Sequence, residues 1–217
     1  MKTQKIIISL STTCLLCFSY PVISQDNTNN TNTSYSSIYP FGKGSNVISV
    51  GIGVGGSYTY IGDGYTSTPN FVLTYDNGTF GNVGPGTISL GALLAYKGVS
   101  YDYTDPFSGY YYDQSWSYFI LGVRGAYHLN IPAAPRFDPY VGLMLGYYDI
   151  SYKETSSDPE FNNPRSPYYY YYTNTYNSYV AFSLFIGARY YISNSFGLWL
   201  ELGYGYSDAA VGVSFKF

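Results

Sequence analysis

Cysteine is nearly missing from this chain of 217 residues: only Cys14 and Cys17 carry a thiol, and both lie close to its start. Charge is also scarce. Lys, Arg, Asp and Glu make up 11% of the residues, against about a quarter in an ordinary water-soluble domain. The net charge of −3 offers no basic field for nucleic acid. One histidine, His128, is present, which leaves little room for imidazole-based metal or proton chemistry. Past the first twenty or so residues, no apolar run reaches the length of about 18 that a spanning helix needs.

The start of the chain has the pattern of a secretory signal. Lys2 and Lys5 precede the apolar stretch "IIISLSTTCLLCFSY", and Val22 and Ser24 are small enough to sit at a cleavage site before Gln25. Residues 1–24 are therefore expected to leave on export, taking both thiols with them and excluding disulfides and thiolate metal sites. Residues 25–45 are rich in Asn, Thr and Ser without any period, and are expected to form a flexible polar lead-in.

What the chain has in quantity is tyrosine and glycine, 30 and 24 residues, with aromatics at 21%. From residue 46 a period of two recurs. In "VISVGIGVGGSYTYI" (47–61), Ile48, Val50, Ile52 and Val54 share one face, and Ser49, Gly51, Gly53 and Gly55 the other. The alternation returns in 70–76, 87–97, 118–129, 140–148, 179–192, 197–206 and 210–217, giving eight predicted strands. Large apolar residues on one face and small or polar ones on the other suit a narrow barrel with lipid outside. An exported chain without a spanning helix can cross a membrane only as such a closed barrel. Connections at 130–138 and 193–196 are short, whereas 98–115 and 152–177 are long, polar and rich in tyrosine. Short turns are expected on the periplasmic side and long loops outside.

Three stretches, "SVGIGVGGSY", "DPYVGLMLGYY" and the ending "VGVSFKF", resemble the small porin-like, eight-stranded outer-membrane barrels of Gram-negative bacteria. The resemblance covers 46–217 and implies an all-β, antiparallel, up-and-down transmembrane barrel integral to the cell outer membrane. It implies that Val213, Phe215 and Phe217 form the signal read by the outer-membrane insertion machinery. It further implies contact with outer-membrane lipid and lipopolysaccharide, no cofactor, and a non-enzymatic role that is structural, surface-binding or accessory to outer-membrane complexes. Another outer-membrane protein or a surface glycan would be the partner.

Inside such a barrel, Arg124, Arg189 and Glu201 all point inward at similar height, and a Glu201–Arg189 pair on adjacent strands would neutralise two of them. His128 also points inward, which keeps open an alternative as a lipid-modifying enzyme; a narrow pore is the other alternative. "GVGG" (53–56) is not a phosphate loop, because no helix follows it. No carboxylates have metal-ligand spacing. The run Tyr168, Tyr169, Tyr170, Tyr171 and Tyr172 is expected high in the longest outer loop, as a contact surface.

Overall fold

The computed structural model describes residues 40–56, 64–160, 163 and 178–217. The signal-like segment and the five-tyrosine run lie outside the described residues. Nine strands form: β1 Asn46–Val54, β2 Tyr65–Ser67, β3 Asn70–Val83, β4 Gly86–Thr104, β5 Tyr111–Leu129, β6 Phe137–Ser156, β7 Tyr179–Tyr191, β8 Phe196–Tyr204 and β9 Ala209–Lys216. Neighbours in sequence pair antiparallel from β3 round to β9, and β1 joins β3 on one side and β9 on the other. The ring is closed, with eight staves. Short β2 is the upper end of the β3 stave, set off by Pro69, whose missing N–H cannot join the ladder. Between Ser67↔Val99 and Phe71↔Tyr96 the β2–β3 side advances one residue further than β4, which is a bulge.

Alternation fixes which residues face out. At mid-height Val50, Leu73, Leu94 and Leu121 are adjacent in register, and all are exposed. Phe182, Leu200 and Val211 on the far wall are exposed as well. Exposed apolar side chains encircling a closed barrel are stable only when lipid, not water, surrounds it. The belt ends abruptly on β4, β5 and β6. Tyr96, Phe119 and Tyr147 are the last large apolar residues facing out on these strands; Asp149 already stands level with Phe119, and Gly98 and Ser117 follow on the next rung. Among the described residues β7, β8, β9 and β1 end at about that level, while β4, β5 and β6 continue for another seven or eight residues. With β2 they form a paddle rising roughly 20 Å past the belt, at about 2.5 Å per residue.

The paddle has its own small core. Val99, Trp116 and Tyr118 are buried, with Tyr101, Ile150 and Tyr152 packed on them. Trp116 and Tyr152 rings lie 5.3 Å apart, and Tyr65 and Tyr101 rings 4.5 Å apart. Gln114 donates to Glu154 at 2.7 Å, so the polar rung is cross-braced as well.

Several sequence expectations change in extent. The connection expected at 98–115 is largely ladder, and 152–156 of the one expected at 152–177 is ladder as well, because Ser, Asp and Tyr alternate there without an apolar face to mark the strand. The stretch 77–86, expected as a connection, belongs mostly to β3, leaving a turn at Gly84 and Pro85. β1 ends at Val54, since Gly55 and Gly56 adopt φ of 76° and 92°, a region that breaks a strand. Residues 40–45, expected as part of the lead-in, pack against the barrel's short-turn end. Phe41 is buried, the Lys216 ammonium donates to the Pro40 carbonyl at 3.1 Å, and the Gly44 amide donates to Gly78 O at 2.7 Å.

Candidate functional site

The barrel interior divides by height. The loop-side half is apolar, lined by Val72, Leu93, Ile120, Met144 and Phe185. The turn-side half holds three carboxylates, two guanidiniums and the single imidazole, all buried: Asp76, Asp138, Glu201, Arg124, Arg189 and His128.

Asp76 is the hub, reached from β3. One of its oxygens accepts a short hydrogen bond from Arg189, and the other lies 3.1 Å from Arg124 Nε as an ion pair bent away from hydrogen-bond alignment. Arg124 turns its Nη2 to Glu201 at 2.8 Å, and its guanidinium covers the Phe185 ring at 4.1 Å. Glu201 also accepts from the hydroxyls of Tyr140 at 3.0 Å and Tyr206 at 2.5 Å, and Trp199 Nε1 donates to Tyr140 at 2.7 Å. Arg189 reaches Asp138 at 3.4 Å. The pairing differs from the Glu201–Arg189 bridge expected on adjacent strands. In register Glu201 faces Gly187 and Arg189 faces Trp199, so Arg189 crosses the lumen to β3 instead. Asp76 and Asp138 were missed as interior charges. Both were legible as inward by parity, once β3 and β6 are extended toward the turns.

Glu201→Gln should lower stability by about 2 kcal/mol, because the amide has one accepting oxygen where the carboxylate serves two tyrosines, and it leaves Arg124 with one carboxylate fewer. Denaturant unfolding from lipid vesicles measures it; an unchanged midpoint would mean that the Arg124 contact contributes nothing.

His128 closes the network at the turn end. Its Nδ1 lies 2.8 Å from Asp138 and its Nε2 3.1 Å from Ser89 Oγ. Phe41 stacks on its ring with centroids 3.8 Å apart and planes 15° from parallel. Ser89, His128 and Asp138 have the connectivity of a nucleophile, a base and an orienting acid. Their surroundings oppose that use. Ser89 and His128 are 0% exposed, and the second hydrogen bond of Ser89 runs to Ala126 O at 3.4 Å. A fluorophosphonate probe should leave Ser89 unlabelled in the folded barrel, and labelling abolished by His128→Ala would overturn that reading.

Two ends of the lumen remain. At the loop side, the space among Asn70, Lys97, Tyr118, Tyr148 and Tyr206 is about 10 Å³, room for one water. At the turn side, Phe41 and the charged cluster fill the section. Among the described residues no group of metal-ligating side chains gathers.

A closed ring, an apolar outer belt and a packed, charge-compensated lumen settle the class. The chain has the fold of the small eight-stranded outer-membrane barrels. No protein-family model and no curated protein sequence matches the barrel. Solved structures of like fold include the outer membrane protein OprG from Pseudomonas aeruginosa, 14% identical, with a TM-score of 0.49 over 81% of this chain and 97% of that one. They include also the attachment invasion locus protein Ail of Yersinia pestis, 13% identical, TM-score 0.43, covering 81% and 99%. The N-terminal β-barrel domain of OprF from the same Pseudomonas species is 15% identical, TM-score 0.43, covering 82% and 100%.

Proposed function

We propose that this barrel is a non-enzymatic integral protein of the outer membrane, exported through a cleaved signal, whose role is carried on its loop end as a surface-binding or accessory element. The observation that carries the reading is the asymmetry of the staves. Among the described residues four of the eight, β4, β5, β6 and the β3 stave by way of β2, rise past the belt and are braced by their own aromatic core, an investment of ordered residues that spanning a bilayer does not require. Lipid and lipopolysaccharide then meet the belt at Tyr96, Phe119 and Tyr147. Val213 and Phe215 on β9, with Phe217 just past it, face the lipid as the signal for the insertion machinery. The partner is another outer-membrane protein or a surface glycan.

Replacing residues 98–117 by Asn-Gly, between the cross-strand partners Lys97 and Tyr118, removes the tip and keeps the belt. The trimmed barrel should still assemble and lose partners recovered by crosslinking in mild detergent. Equal recovery would assign the role to the belt or the lumen. Exchanging Tyr168 to Tyr172 for serine asks the same of that run.

The enzyme alternative has one observation in its favour, the Ser89–His128–Asp138 chain, and lacks a route for substrate. The pore alternative meets a lumen filled along its length, and steady single-channel conductance in planar bilayers would revive it.

A further inference from the structure

The tip of the β4–β5 hairpin holds a side chain that neither the belt nor the lumen accounts for. Phe107 is 97% exposed. It sits at the summit of the paddle, where its own bilayer cannot cover it. The other large exposed aromatics on this part of the chain, Tyr65, Tyr103, Tyr110 and Tyr111, each carry a hydroxyl for water. A fully hydrated phenyl ring forgoes burial in the free protein and keeps its whole apolar area to bury on contact.

The turn that presents it is fastened. The Asp105 carboxylate accepts from the Phe107 amide at 3.0 Å and from the Ser108 hydroxyl at 2.7 Å. The Asp105 carbonyl accepts from the Gly109 amide at 2.8 Å, and the Asp105 amide donates to Tyr110 O at 2.9 Å. Pro106 fixes one φ, and Gly109 takes the value of 74° that closes the turn. Below it β6 is laced to β5: Tyr111 N donates to Ser157 Oγ at 3.0 Å, and Tyr112 OH to Asp158 at 3.0 Å. The Phe107 amide, and then the Ser108 hydroxyl, hold the Asp105 carboxyl below its ordinary range. The turn is thus complete above the ordinary carboxylate pKa and loosens only as acid passes below it.

Charge at the tip is mainly of one sign. Asp102, Asp105 and Asp113 lie on it and Asp158 beside it, Lys153 stands lower on β6 opposite Ser115, and between residues 98 and 118 the sequence has no Lys or Arg. We infer that the β4–β5 tip is a pre-organised docking spike, with Phe107 as its anchor, for a protein partner that offers an apolar pocket with a basic rim. Aromatic anchors seated in pockets dominate protein interfaces, and rigid presentation lowers the ordering cost of binding. The inference rests on the surface-binding reading above and names its contact point.

The test uses the whole barrel in phosphatidylcholine nanodiscs, panned with a phage-displayed random dodecapeptide library. Enriched peptides should combine Arg or Lys with aromatic or aliphatic residues. As synthetic peptides they should bind Phe107→Ala about 30-fold more weakly than the unaltered barrel. Asp105→Ala, which keeps the ring but releases the turn, should weaken binding several-fold. No enrichment, acidic consensus peptides, or equal binding to Phe107→Ala would each overturn the spike. Phe107-dependent flotation with phosphatidylcholine vesicles would overturn it too, because the ring would then be a membrane probe. Peptides lost on replacing 98–117 but indifferent to Phe107→Ala would sink the spike alone; peptides indifferent to both would sink the surface-binding reading with it.

Discussion

Asp76→Asn should destabilise the barrel by about 3 to 5 kcal/mol, the range found when one member of a buried ionic group is removed. Asp76 serves both arginines. Removing its charge leaves Arg189 with only the 3.4 Å contact to Asp138, and leaves Arg124 leaning on Glu201. Neither guanidinium can reach water, since both side chains are fully enclosed. The arginines stay ionised at any attainable pH, so the deficit cannot be relieved by losing a proton. A partial rescue separates charge imbalance from lost packing: Arg189→Met in the Asp76→Asn background should restore part of the deficit. Urea unfolding of vesicle-inserted protein, with the loss of heat-modifiable gel mobility as a second probe, measures both. A change below about 1 kcal/mol would mean that the cluster is solvated from within and that the hub role is wrong.

The second large effect comes from a residue without a side chain. Gly187 faces Tyr140 in register, and a Cβ there would lie 2.3 to 2.5 Å from the Cζ, Oη and Cε2 atoms of the tyrosine. Tyr140 cannot simply turn away. Its hydroxyl bridges Trp199 to Glu201, and its ring lies 4.9 Å from both the Arg189 guanidinium and the His128 ring centroid. Gly187→Val should therefore displace a shared hydrogen bond and overpack the lumen together, costing about 3 kcal/mol. The same change at Gly125, which faces outward, should have little effect, because its Cβ would meet nothing closer than 3.7 Å. Near-equal midpoints for the two variants would show that the barrel wall yields enough to absorb the methyls.

The contrast between these two glycines shows what the sequence made legible. Period two told inside from outside along the described strands within the belt, since the lipid face must be apolar and the lumen must be small or polar. It did not tell where β4, β5 and β6 end, because above the belt both faces meet water and alternation loses its contrast. Nor did it give partners within the lumen. Arg124, Arg189 and Glu201 are inward by parity, but their pairing depends on shear between strands distant in sequence, which placed Asp76 between the arginines. Phe41 left no signal. It is a single aromatic in a polar segment; His128 and Gly78 adjoin its ring and Lys216 holds the carbonyl of Pro40 before it, so its berth draws on three different staves. Gly78 is required there because the Gly42 carbonyl lies 2.0 Å from where a Cβ would stand.

That berth also has a place in time. Its parts come from β3, β5 and β9, so it does not exist until the last strand has met the first. Phe41 can settle only after the ring has shut, although it precedes every strand on the chain. A cysteine placed at residue 41 should react with a maleimide throughout insertion and fall silent only at the end, marking the moment of closure in an assembling population.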